Sequence, residues 1–132
     1  FREAGVDWAG ITTISTDVNS KEAGTAAATY VLDQAHPPTA VVAFSDILAL
    51  GALDALAARG LRPGYDVSVI GFDDIPDARD AALTTVRQPA AERGRLSGQL
   101  LLDPPKDPTG RQILLPTELV VRDSTRPAVT KE

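Results

Sequence analysis

At 132 residues, 43% of them hydrophobic and 23% charged, the chain has the composition of an ordinary soluble globular protein and the length for one domain with a proper core. It has no cysteine and a single histidine, which excludes a disulfide framework, a thiolate metal site and any multi-histidine site within the chain. A net charge of -5 argues against this segment gripping nucleic acid, which needs Lys and Arg to displace counterions, and no apolar run nears the ~20 residues that span a bilayer.

The chain opens on Phe1-Arg2-Glu3 with no initiator methionine and no signal-peptide pattern, so it reads as a piece of something longer. Residues 11–15 (Ile-Thr-Thr-Ile-Ser) are β-prone and predict a first strand, ending in Thr16-Asp17-Val18-Asn19-Ser20. Asn19 followed by Glu22 has capping-box spacing, so a helix is predicted from there to about Ala35, where His36-Pro37-Pro38 stops it. Residues 40–44 form the next predicted strand. Ser45-Asp46 opens a helix to about Arg59, with Gly60 as a left-handed stop.

After the turn Arg62-Pro63-Gly64, residues 67–72 read as a buried strand that ends abruptly in Asp73-Asp74. Strand, helix and strand in so short a span predict a parallel βαβ unit with a right-handed crossover. The preceding segment repeats that alternation, so the fold class is α/β. Residues 75–82 read as a loop with a helical turn and 84–87 as a strand. Pro89 stands near the start of a helix ending near Leu102. Residues 103–110 are a turn-rich loop, and 112–115 and 118–122 read as two short strands before a frayed tail.

Polar groups collect at the predicted strand ends: Asp17 and Asn19, Ser45 and Asp46, Asp73 and Asp74. Were the strands parallel, all six would lie at one edge of one sheet, where open α/β sheets bind ligands. Carboxylates accept from sugar hydroxyls, amides and hydroxyls supply the complementary donors, and Phe72 adds an apolar surface, so the rim suits a polyhydroxylated ligand. The plainer reading is that Asn19, Ser45 and Asp46 cap helices, and the two roles can coexist. Asp73 is the better candidate for the ligand and Asp74 for a structural carboxylate; His36, beside two prolines, reads as an exposed loop residue.

A second feature is the helix from Asp46. Ile47, Leu50, Leu53 and Leu56 spread over about half its circumference at ~100° per residue, with Leu48 further round. A helix with its back to water needs a narrower stripe, so a second buried surface is expected, such as a subunit interface; otherwise Leu48 is an isolated exposed leucine.

These residues, taken in order, resemble the lactose/galactose repressor (LacI/GalR) family of bacterial transcription regulators. The likeness runs through Pro38-Thr39-Ala40-Val41-Val42-Ala43-Phe44-Ser45-Asp46-Ile47-Leu48-Ala49-Leu50-Gly51-Ala52, then Asp66-Val67-Ser68-Val69-Ile70-Gly71-Phe72-Asp73-Asp74. It continues in Leu83-Thr84-Thr85-Val86-Arg87-Gln88-Pro89 and closes in Leu115-Pro116-Thr117-Glu118-Leu119-Val120-Val121-Arg122-Asp123-Ser124-Thr125. The resemblance implies a periplasmic-binding-protein-like effector domain, two α/β lobes closing on a small ligand, usually a sugar or nucleobase. It implies a homodimer in the cytoplasm, no cofactor and no metal, with operator DNA held by an N-terminal helix-turn-helix that is absent from these residues.

Within such a domain, residues 1–86 and about 117–125 would belong to the C-terminal lobe, and about 87–115 would cross into the N-terminal lobe. Asp73 matches the family's ligand-contacting aspartate, Ser45 its Asn or Ser contact, Asn19 a variable and often aromatic position, and Gln88 a contact across the cleft. Leu50 and its helix neighbours Ile47, Leu48, Leu53 and Asp54 match the dimer-interface helix. The loop between Asp74 and Leu83 is about two residues shorter than in familiar members. The arginine that commonly clamps the ligand would fall before Phe1, so residues 1–132 alone are expected to bind effector weakly or not at all.

Two rival readings exist. Asp73 and Asp74 could hold Mg²⁺ for phosphoryl transfer. Against that, there is no Walker-type glycine loop and no Gly-x-Ser-x-Gly elbow, and the only lysines are Lys21, Lys106 and Lys131 in polar surroundings, so no enzyme is expected. An exported solute-binding protein of a sugar transporter would share the fold but act outside the cytoplasm.

Overall fold

The computed structural model describes residues 3, 5–104, 107 and 112–127. Its four-stranded sheet runs in the order β1 (Ala40–Val42), β2 (Ser68–Asp73), β3 (Thr84–Arg87), β4 (Glu118–Val120). β1, β2 and β3 are parallel and β4 is antiparallel to β3. The β1–helix–β2 unit is therefore parallel, as the alternation of patterns predicts, and the carboxyl ends of three strands share one edge.

Among the described residues four α-helices accompany the sheet: α1 (Lys21–Leu32), α2 (Asp46–Ala57), α3 (Pro76–Asp80) and α4 (Ala90–Leu102). α2 lies against β2, and its Ala49, Ala52, Ala55 and Leu56 meet Val67, Val69 and Leu83 in the core. The helix offers three alanines beside Leu56 and the sheet offers branched residues within or just before β2 and β3, a pairing that lets the two layers approach closely. Leu56, Val69 and Leu83 are fully buried. Register places Val42, Ile70, Phe72, Val86 and Leu119 on the other face of the sheet, where Val42 and Leu119 are more than half exposed.

α1 packs on α2 through two glycines. A Cβ on Gly24 would strike the carbonyl of Leu48, and one on Gly51 the carbonyl of Lys21. Thr25 Oγ1 donates to the Gly51 carbonyl (3.1 Å), and Lys21 pairs with Asp54 (2.8 Å) across the same crossing. The second apolar surface of α2 is thus in part the seat of α1, within this chain. Ile47, Leu48, Leu50 and Leu53 are left half-buried and Asp54 exposed.

Four sequence expectations fail. Residues 11–15 form no strand; no described strand pairs with them, and Thr12 to Ser15 stay exposed. β-propensity is a preference for a pleated, half-buried surface, so without a neighbour it leaves the segment irregular. Residues 112–115 form no strand either, for the same reason. Asn19 is not the cap of α1: Ser20 takes that place and accepts from the Ala23 amide at 3.1 Å, and the helix ends at Leu32 rather than near Ala35. α4 buries none of its residues, and Leu101 and Leu102 are more than four-fifths exposed.

Candidate functional site

The edge formed by the carboxyl ends of β1 to β3 carries the candidate side chains, in two groups. At the end of β1, Ser45 is 5% exposed and caps α2, its Oγ accepting from the Leu48 amide at 3.2 Å. The same hydroxyl donates to Asn19 Oδ1 at 2.5 Å. Capping and presentation coexist here: one hydroxyl ends the helix and fixes the amide of an exposed residue, although residues 11–15 supply no strand to carry it.

Asp46 does not belong to the rim. It is fully buried, accepting from Thr85 Oγ1 (2.6 Å) and from the Ile75 amide (2.9 Å). Its carboxylate occupies the space that a side chain at residue 71 would need, since a Cβ on Gly71 would strike Asp46 Oδ1. A charge in that position ties α2 to β3 and to the start of α3; it is not offered to a ligand. Asp17, by contrast, is exposed.

At the end of β2 the backbone turns sharply. Asp73 and Asp74 have φ of 127° and 62°, in the region glycine favours, a conformation costing about 1–3 kcal/mol per residue that persists only where surroundings enforce it. The enforcing contacts are visible. Asp74, its side chain 4% exposed, accepts from Arg87 Nε at 2.6 Å and from Arg122 at 2.5 Å, one guanidinium on each oxygen. Arg122 also donates to the Leu83 carbonyl (2.7 Å), and Arg87 to Glu118 (2.9 Å). Burial pushes the Asp74 carboxyl up, but the hydrogen bonds from Arg122 and Arg87 outweigh it and hold the group below the usual carboxylate range.

Asp73 pairs in register with Arg87, which brings the next residue, Gln88, against it. Gln88 Nε2 donates to Asp73 Oδ1 at 2.6 Å, and Arg93 from the first turn of α4 donates to Gln88 Oε1 at 2.6 Å. Asp73, Gln88, Arg79, Arg87, Pro89 and Arg93 are among the walls of an open cleft of about 780 Å³. Asn19, Ser45 and Phe72 do not line it: Phe72 is half-buried on the far sheet face, across from Val86. The arginines 87, 93 and 122 are the residues that reading the sequence missed. Only the strand register, which sets Asp73 opposite Arg87, could have found the first of them.

Both oxygens of Asp74 are engaged by arginines, so the two aspartates do not form the open carboxylate pair that a Mg²⁺ site needs. Among the described residues no cluster of three or more metal-ligating side chains occurs, and no helix is long and apolar enough to cross a membrane.

The periplasmic binding protein-like domain profile matches residues 1–125. Over 112 residues, 80% of this chain and 32% of the relative, the chain is 43% identical to the HTH-type transcriptional repressor CytR of Escherichia coli K12. It spans about a third of the length of the curated relatives it matches. Among solved structures, a LacI-family regulatory protein from Chloroflexus aggregans superposes with a TM-score of 0.78 at 34% identity, covering 95% of this chain and 46% of that one. The lac repressor dimer bound to operator and the anti-inducer ONPF gives 0.69 at 35% identity, covering 80% and 38%. These relatives are regulators rather than enzymes. With the parallel sheet and its carboxyl-edge cleft, the match places the chain in the periplasmic binding protein-like domain family, as a partial domain of the LacI/GalR type.

Proposed function

We propose that this chain is the C-terminal part of the effector-sensing and dimerisation domain of a cytoplasmic, DNA-binding transcriptional regulator. The observation that carries the reading is the strained turn at Asp73, held by Arg87 and Arg122 through Asp74 and set against Gln88 in an open cleft. Strain retained at a strand end, at the ligand edge of an α/β sheet, points to a presented side chain. The effector is a sugar or a related hydroxyl-rich metabolite, contacted by Asp73 and Gln88 in the cleft, with Asn19, held by Ser45, meeting it from the neighbouring strand end.

Operator DNA is held outside these residues; a chain of net charge -5 lacks the cations for it. The lac repressor neighbour, described as a dimer on operator with an anti-inducer, supports that division of labour. Residues 1–86 and about 117–125 form one lobe and about 87–115 cross to the other, a reading supported by α4 burying nothing within this chain. Effector closing the lobes shifts the dimer's fit to DNA, a coupling of ~1–3 kcal/mol in such systems. The half-buried Ile47, Leu48, Leu50 and Leu53 with Asp54 form the subunit contact.

The test is a thermal-shift screen of the complete gene product against aldopentoses, aldohexoses and nucleosides. One of them should raise the melting temperature, and the shift should vanish in Asp73→Asn. A binder indifferent to both Asp73→Asn and Gln88→Ala would overturn the site. An exported solute-binding protein would show the shift but no retention of the gene's upstream DNA in a mobility assay.

A further inference from the structure

We propose that Arg93 is a positioning residue for effector recognition, acting through Gln88; the inference rests on the reading of Asp73 and Gln88 as effector contacts. The three side chains form a line: Arg93 donates to Gln88 Oε1 at 2.6 Å, and Gln88 Nε2 donates to Asp73 Oδ1 at 2.6 Å. The order admits no reversal. A guanidinium has no acceptor and an ionised carboxylate no donor, so the amide must turn its oxygen to Arg93 and its nitrogen to Asp73. A charge at each end polarises the amide, and both bonds are of the stronger, charge-assisted kind.

The consequence is a specified surface in the cleft. Asp73 Oδ2 has no partner among the described residues, and Gln88 Nε2 keeps a second hydrogen beyond the one given to Asp73. An acceptor and a donor stand side by side, the complement of a hydroxyl that donates to one and accepts from the other. This favours a neutral hydroxyl-bearing effector over a carboxylate or phosphate, which would face Asp73 with like charge. Without Arg93 the amide oxygen loses its anchor, Gln88 is held at one end only, and the side chain is free to swing out of the cleft and take the donor with it.

Arg93 stands on α4, whereas Asp73 stands on β2, so the line also ties the strand end to the helix that follows Gln88. Its exposed position and its single described side-chain hydrogen bond make a purely structural role measurable as an alternative.

Two arms test this on the complete gene product. In effector-free crystals, Arg93→Met should release the Gln88 side chain from Asp73, whereas Arg93→Lys, which keeps a cationic donor, should hold it. Gln88 seated on Asp73 in Arg93→Met overturns the proposal. In calorimetry with D-ribose, Gln88→Ala and Arg93→Met should each weaken binding by roughly tenfold, and the double variant should be no weaker than Gln88→Ala alone. A further loss in the double variant means Arg93 acts independently of Gln88, which also overturns it. Were wild type not to bind D-ribose, or Gln88→Ala to bind it unchanged, the effector reading would fail for that sugar, and the crystals would still decide the role of Arg93.

Discussion

Asp74 stands one residue past Asp73, the proposed effector contact, and each of its oxygens is held by a different arginine. Removing that charge leaves Arg122, itself 14% exposed, facing a neutral neighbour. Asp74→Asn is expected to cost about 2–3 kcal/mol at neutral pH, the scale of a charged hydrogen bond lost from a largely buried pair. The Asp74 carboxyl lies below its unfolded value, so its contribution is complete above about pH 4 and is lost as pH falls through the depressed folded value. Urea midpoints of the complete gene product, measured from pH 7 to pH 3, should therefore fall more steeply in wild type than in Asp74→Asn. Parallel curves would count against the pairing. Asp46 offers a sharper contrast, because it is fully buried and bonded to Thr85 and the Ile75 amide. Asp46→Ala strands both donors and should cost about 2–4 kcal/mol in the same measurement; a loss under 1 kcal/mol would mean the donors find other partners.

Helices and strands were legible to different degrees. α2 announced itself by Ser45 at its start, a continuous apolar face and Gly60 after its end, and it forms between residues 46 and 57. β2 and β3 were legible as branched runs bounded by turns, since buried parallel strands carry that signature locally. Residues 11–15 carry the same signature and form nothing, because pairing is supplied by a neighbour, not by the run itself. Of the candidate site, Asp73 was visible as a charge ending an apolar strand; Arg122 was not, since it reaches Asp74 across 48 residues, nor Arg93, whose meeting with Gln88 depends on how the chain turns at Pro89 into α4. The breadth of α2 was visible, but its cause was only half read: Gly24 and Gly51 let α1 sit on it. Gly51→Ala puts a methyl group against the backbone of Lys21 and Thr25, atoms that cannot rotate away. The helices must then separate, at a cost of about 1–3 kcal/mol, checked by the thermal midpoint of the complete gene product. An unchanged midpoint would mean that the crossing is looser than described.

At the scale of the molecule, the apolar surfaces left open among the described residues include α4, the outer sheet face at Val42 and Leu119, and the flank of α2 that α1 does not cover. A stable dimer buries about 1,200–2,000 Å² in all, more than four half-buried side chains supply, so the proposed contact would have to extend past Ile47, Leu48, Leu50 and Leu53. The exposed Lys21–Asp54 pair beside them suits its polar rim. If the contact runs through α2, placing a charge at its centre should separate the subunits without unfolding them. Leu50→Lys in the complete gene product is expected to shift sedimentation equilibrium from dimer toward monomer, with the far-ultraviolet dichroism spectrum unchanged. Operator affinity should fall with it, since two half-sites are then engaged one at a time and the gain from simultaneous binding disappears. A Leu50→Lys protein that stays dimeric would place the subunit contact elsewhere, and the remaining breadth of α2 would then belong to packing within the lobe.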